Sequence, residues 1–411
     1  MPKIFRSLFI LLLFSILVVG CSSNEIPTSS LLEESSEESK VHSSQEVKTE
    51  MPAPTTTATS KPNTTPTETK TPTLTLPPSP TPLKDGLPNL ERITLENADR
   101  VELLTTLRIT NYRVDKPWQG QCGVAFNSDG SRLVATCEQN ALPVWDLPSL
   151  ELRHRLFPIP DHAISCDFSP DGQMVACGKY DDWKIPAWNT QTGEYLYDIG
   201  KHAAPVWDVD FSPDGKFLAS CSVSEGDFER RRGKMAILWK VSPPEKLWSH
   251  EMWSTCLSIS FHPSGKTIAA SAIHGKVEIL DAKTGELIVM LEDATRHLGD
   301  IVYSPSGDYL SATSDDFNIF IWDVPGYNLV AKLEGHQSYV NGSAFSEDDT
   351  YLVSGSADKT VAIWSLEDFQ MLTSLVGHTD TILRIDLNRE NTLIASVSWD
   401  GTVRLWGIIA E

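Results

Sequence analysis

The chain has 411 residues, enough for a large core in one domain, and carries 55 acidic against 34 basic side chains for a net charge of −21. That balance argues against nucleic acid as a partner, because phosphate binding needs a basic footprint. It argues equally against a folded part lying on an anionic bilayer.

Residues 1–21, MPKIFRSLFILLLFSILVVGC, open with Lys3 and Arg6 and continue in the apolar run Leu8 to Val19. A bilayer-spanning helix needs about 20 apolar residues, so this shorter run reads as an export signal. Its end, Val-Val-Gly-Cys, resembles the lipobox of bacterial lipoproteins. The resemblance implies that Cys21 is lipidated and becomes the mature N-terminus, anchoring the chain to a bacterial cell membrane with the rest outside the cytoplasm. An uncleaved anchor is the alternative, with the same topology. Residues 22–90 are rich first in Ser and Glu, then in Thr and Pro, as in MPAPTTTATSKPNTTPTETKTPTLTLPPSPTP. Such composition buries too little apolar surface to offset ordering entropy, so a semi-extended tether is expected.

Residues 91–411 read as one repeat array. Tryptophans 145, 188, 239, 322, 364 and 406 each close an alternating apolar run, and Leu280 stands where a seventh would fall. The successive spacings are 43, 51, 41, 42, 42 and 42 residues. A hairpin signal precedes each one (FNSDG, FSPDG, FSPDG, FHPSG, YSPSG, FSEDD, LNREN). Each unit is therefore strand, tight turn, strand, loop, strand ending at Trp, then a fourth strand. The fold class expected is all-β: a seven-bladed β-propeller of four-stranded antiparallel blades. The last unit ends shortly after Trp406 and lacks its fourth strand, while VELLTTL, 101–107, has no unit of its own. That strand should complete the last blade and close the ring.

These units resemble the WD40-repeat family, with its Gly-His, SPDG hairpin, Ser-x-Ser-x-Asp and terminal Trp-Asp. The resemblance implies a hydrogen-bonded tetrad in each blade. Carried over, it gives His336, Ser354, Asp358 and Trp364 in the sixth unit, and His378, Ser396, Asp400 and Trp406 in the seventh. Partial sets are His202, Ser220 and Trp239 in the third unit, where Gly233 replaces Asp, with Asp182 and Trp188 in the second and Asp316 and Trp322 in the fifth. His162 is displaced by three residues, and the fourth unit has His274 for Asp and Leu280 for Trp.

No metal or cofactor is expected, since the histidines recur one per unit and no HExxH, CxxC or calcium-loop spacing occurs. Asp167, Asp208, Asp210 and Asp386 fall on innermost strands, where a channel-centred hydrolase or lyase would hold its carboxylates. The polar lining of a wet channel is the plainer reading, so catalysis is not expected. Family positions on the loop face would present Trp399, Tyr339, Trp207, Asp315 and Asp181, near Trp183 and Tyr180. The long third-unit loop SEGDFERRRGK adds Phe228, Arg230, Arg231 and Arg232, suited to an acidic partner. The expected function is a monomeric scaffold binding a protein or peptide, with a structural envelope component as a further alternative.

Six cysteines remain beyond Cys21. The register that sets Phe126 against Leu133 sets Cys122 against Cys137, and the same register in the next hairpin sets Cys166 against Cys177. Both pairs are candidate disulfides; Cys221 and Cys256 have no such register argument.

Overall fold

The computed structural model describes residues 86–109, 122–136, 141–157, 163–223, 235–324 and 326–411. Cys21, residues 22–85 of the tether, Cys137, His162, Phe228, Arg230, Arg231, Arg232 and Gly233 lie outside the described residues. The fold is seven antiparallel sheets, six of four strands and one of five, with a single 3-10 turn at Ala98–Arg100 among the described residues. Each unit of the repeat is one blade. Blade 1 runs from Val124–Phe126 to Glu151–Leu156, and blade 7 from Ile382–Leu387 to Thr402–Ile409.

The ring closes as the accounting of strands requires. Glu102–Arg108 pairs antiparallel with Thr402–Ile409, setting Leu103 opposite Trp406. Leu90–Glu91 adds a second pairing, Leu90 opposite Ile409. The fold thus takes in Gly86–Leu90, which composition assigns to the tether: the Leu87 N–H donates to Pro148 O at 2.7 Å. Ile93 is fully buried with Trp406 and Ile363, so the segment entering the ring is part of its core.

Apolar clusters lie between successive sheets, as each strand's alternation dictates. Phe211 and Leu218 of blade 3, for example, pack with Ala176 and Ile185 of blade 2. Blades 2 to 7 all carry a register shift near the start of the innermost strand, such as that between Val206 and Asp208. A bulge of this kind re-aims the side chains around it.

Antiparallel topology sorts the loops onto two faces. The connections into each innermost strand, and those between second and third strands, emerge on one side, called here the loop face. The tight hairpins and the third-to-fourth connections emerge on the other. Pro148 belongs to the latter set, so the described chain enters the ring on the hairpin face.

Candidate functional site

Two blades hold the full tetrad. In blade 6 the His336 Nδ1–H donates to Asp358 Oδ2 at 2.8 Å, His336 Nε2 meets Ser354 Oγ at 2.8 Å, and the Trp364 indole N–H donates to Ser354 Oγ at 2.8 Å. Blade 7 repeats the chain through Asp400, His378, Ser396 and Trp406 at 2.8, 2.8 and 2.9 Å. Each carboxylate also takes the loop N–H after the histidine, from Gln337 at 2.9 Å and Thr379 at 3.0 Å. Burial pushes the Asp400 carboxyl up, but its bond and charge partner His378, with Thr402 and the Thr379 N–H, hold it down at about 2. Gly377 explains the Gly of Gly-His: a Cβ there would stand 2.7 Å from the Trp406 ring.

Blade 3 has the same chain without the acid. His202 Nε2 meets Ser220 Oγ at 2.7 Å and Trp239 Nε1 donates to Ser220 Oγ at 2.7 Å. Among the described residues His202 Nδ1 is buried without a partner, and burial drives this imidazole down to about 3. It is held neutral.

The sets in blades 2 and 5 do not assemble. Their strands carry Cys177 and Ala312 where Ser220, Ser354 and Ser396 stand, so the indoles have no hydroxyl to reach. Trp188 Nε1 donates instead to Phe157 O at 3.0 Å, and Trp322 Nε1 to Asp293 Oδ2 at 2.7 Å. Asp182 pairs with Lys179 at 2.9 Å and Asp316 with Lys332 at 3.5 Å.

Blade 4 replaces the tetrad with a different device. Ala270 occupies the serine position and Leu280 the tryptophan position, while Met252 stands where the histidine would be and is buried. Glu278 lies directly across from Ala270, and its side chain is 2% exposed. Its Oε1 accepts the Trp253 N–H at 2.6 Å and its Oε2 meets His250 Nε2 at 2.7 Å. Glu278 therefore takes the loop N–H that Asp358 takes in blade 6. Sequence reasoning missed it. The available signal is an acid within an apolar third strand, where other blades carry Ile237, Phe320 or Ala362.

The channel carboxylates are engaged between blades. The innermost strand of a blade is a sheet edge with N–H groups that its own blade cannot pair. Asp386 Oδ2 accepts the Phe126 N–H at 2.7 Å, Asp167 Oδ2 that of Phe211 at 2.8 Å, and Asp210 Oδ2 that of Phe261 at 2.5 Å. A second tier joins Asp208 to Ser165 at 2.5 Å, to Ser258 at 2.6 Å and to the Ile259 N–H at 3.1 Å. Asp300 takes the Ser343 N–H at 3.1 Å and pairs with Arg384 at 2.5 Å. Burial raises Asp386 to about 7 and Asp167 to about 6, and it raises Asp210 further beside the Asp167 carboxyl with which it hydrogen-bonds. Each of these groups serves as an acceptor that ties one blade to the next. Among the described residues no cluster of His, Cys, Asp and Glu could hold a metal ion.

Cys166 lies opposite Cys177 and the two form a disulfide with a Cα–Cα distance of 4.1 Å. Cys122 is disulfide-bonded. Cys221 and Cys256 are buried thiols in one core cluster between blades 3 and 4.

On the loop face the aromatic residues divide. Trp207 and Trp399 are half-buried because they pack against the core clusters of blades 3–4 and 7–1 respectively. Tyr339 is half-buried beside Phe317, ring centroids 5.6 Å apart. Asp181 is exposed, and Asp315 pairs with His297 Nδ1 at 3.2 Å. Among the described residues the most exposed tryptophan is one that sequence reasoning did not select: Trp253, 52% exposed. Its ring lies 6.2 Å from that of His274, which lies 5.5 Å from that of His297. Lys276 sits 4.1 Å over the Trp253 ring. Trp253, His274, His297, Asp315, Phe317 and Tyr339 thus run across the loop ends of blades 4 to 6.

Five stretches of the chain, residues 154–189, 193–226, 285–323, 327–365 and 369–407, match the family model described as WD domain, G-beta repeat. The interval holding the irregular fourth unit is not among them. Periodic tryptophan protein 2 of Arabidopsis thaliana is 27% identical over 41% of this chain and 18% of its own length. Its Saccharomyces cerevisiae counterpart is 26% identical over 40% of this chain and 22% of its own. The chain thus spans about a fifth of these relatives. WD repeat-containing protein SL1-17 of Schistosoma mansoni is 26% identical over 42% of this chain and 68% of its own length.

Proposed function

We propose that this WD40-repeat propeller is a binding scaffold, held outside the cytoplasm by a lipid on Cys21, that engages a protein or peptide partner on its loop face. The observation that carries the reading is the ribbon from Trp253 to Tyr339, where a large aromatic ring is left in solvent by a loop whose backbone is pinned from below by Glu278. Aromatic side chains held in this way bury area on binding at little entropic cost. The described residues begin on the hairpin face, with the Leu87 N–H on Pro148 O, opposite the loop face. The channel carboxylates each accept an N–H of a neighbouring blade, a tying role that favours a scaffold over a hydrolase or lyase.

Chemical crosslinking of the full chain in its own membranes, followed by identification of joined peptides, tests this. Crosslinks between loop-face residues and one recurrent protein are expected. Crosslinks confined to the hairpin face would overturn the reading. Cys21→Ala should abolish palmitate labelling and release the protein or leave it unprocessed; labelling that survives removes the lipid anchor from the proposal.

A further inference from the structure

Cys221 lies in the second strand of blade 3, Phe217–Ser222, at a position where several blades reach the next one. The equivalent Thr136 Oγ1 in blade 1 donates to Ile164 O of blade 2 at 3.0 Å, and Ser271 Oγ in blade 4 donates to Gly299 O of blade 5 at 2.7 Å. Gly178 and Gly355 hold the same place in blades 2 and 6. A Cβ added to Gly178 would stand 3.2 Å from Val206 Cβ, and one added to Gly355 would stand 3.4 Å from Ile382 Cβ. Val206 and Ile382 each begin the innermost strand of the following blade, as Cys256 does in blade 4. Between blades 3 and 4, therefore, two cysteines hold the position pair whose Cβ atoms face at closest range, and a disulfide wants about 3.8 Å there. Both are fully buried in one core cluster. In this structure they are thiols in contact: the Cys221 S–H donates to the Cys256 sulfur, whose own S–H reaches Ser258 O at 3.7 Å.

We infer that Cys221 and Cys256 close to a disulfide that staples blade 3 to blade 4. Two S–H bonds break and one S–S bond forms, while both protons and both electrons pass to a small-molecule disulfide such as oxidised glutathione, which leaves as two thiols. Burial pushes both cysteine thiols up, and exchange needs a thiolate, so the reaction runs during folding, before the two blades close on each other. The link differs in kind from the Cys166–Cys177 bond, which joins two strands of one blade, and it does not depend on the scaffold reading.

The full chain is unfolded in urea with reductant, refolded in a mixture of oxidised and reduced glutathione, alkylated and digested with trypsin. Trypsin leaves Cys221 as the sole cysteine of 217–229 and Cys256 as the sole cysteine of 247–266, whereas Cys166 and Cys177 share 156–179. Mass spectrometry without reduction should recover 217–229 joined to 247–266. Cys221→Ala should raise the unfolding equilibrium constant about a hundredfold more after oxidised refolding than in reductant, a difference in which the loss of packing at the site cancels. Recovery of the two peptides separately, either one joined to a different cysteine, or an equal effect of Cys221→Ala in both buffers would overturn the inference. The peptide map is made on the wild type, so it decides the matter even where the variant does not fold.

Discussion

Blades 6 and 7 and blade 4 perform the same task with different chemistry. In the first pair a carboxylate, an imidazole, a hydroxyl and an indole form one buried chain, and Asp358 or Asp400 also takes the N–H of the loop above. In blade 4 all four positions have changed, and one buried glutamate takes the equivalent N–H from Trp253. What blades 4, 6 and 7 share is a carboxylate fixed within the blade that accepts that loop N–H. The tetrad is one way to supply it. In blade 4, where it has been lost, the loop is still pinned, and the Trp253 ring that it carries projects into solvent.

The comparison can be broken first at its largest element. Trp364→Ala removes an indole that is 1% exposed and one of the two partners of Ser354, and it should cost about 4 kcal/mol in urea unfolding. A loss under about 1 kcal/mol would mean that blade 6 does not depend on its tetrad.

Next come the acids. Asp358→Ala strips partners from His336, Gln337 and Thr360 and should cost about 3 kcal/mol. Asp316→Ala breaks a looser pair with Lys332 and should cost under about 1 kcal/mol. Glu278→Gln keeps one acceptor and should fall between them, at about 2 kcal/mol. Equal losses at Asp358 and Asp316 would erase the distinction between complete and incomplete blades.

The pH dependence sharpens it further. Asp386 is raised from 3.8 to about 7, so the folded ring keeps a proton that the unfolded chain releases. Its contribution to stability is complete below about pH 4 and is lost as the pH rises through 7. His202, lowered from 6.5 to about 3, has the opposite sense: its contribution is complete above about pH 6.5 and is lost as the pH falls through 3. Asp386→Asn keeps an acceptor for the Phe126 N–H and removes the first dependence. Its midpoint should gain on the wild type steadily from about pH 4 to pH 8, and a constant difference would contradict the burial argument.

The smallest stability effect is expected where the functional one is greatest. Trp253→Ala should shift the unfolding free energy by no more than about 0.5 kcal/mol. A large loss would make the exposed ring a structural element instead of a contact.

The ring was legible because its signals are redundant. The tryptophan spacing, seven hairpin turns and a strand left over at 101–107 each demand the same closure. Tetrads 6 and 7 were legible because their residue types are distinctive, and Cys166 opposite Cys177 followed from hairpin register alone. The sets in blades 2 and 5 were misjudged because Trp was read without its hydroxyl: Cys177 and Ala312 leave the indole to find another acceptor. Trp253 escaped notice for a related reason. Positions borrowed from the regular blades point to Trp207, Trp399 and Tyr339, which neighbouring packing half-buries, whereas Trp253 sits in a unit that has no Gly-His to mark its loop.

The central claim is that the irregular blades hold the partner, and photo-crosslinking tests it most directly. Benzoylphenylalanine is placed at Phe317, 40% exposed on the loop face, and in a second strain at Leu287, 44% exposed beside the hairpin face. The account predicts that irradiation of living cells joins one protein to the ring from position 317 and none from position 287. Capture from 287 alone, or of the same protein equally from both, would contradict it.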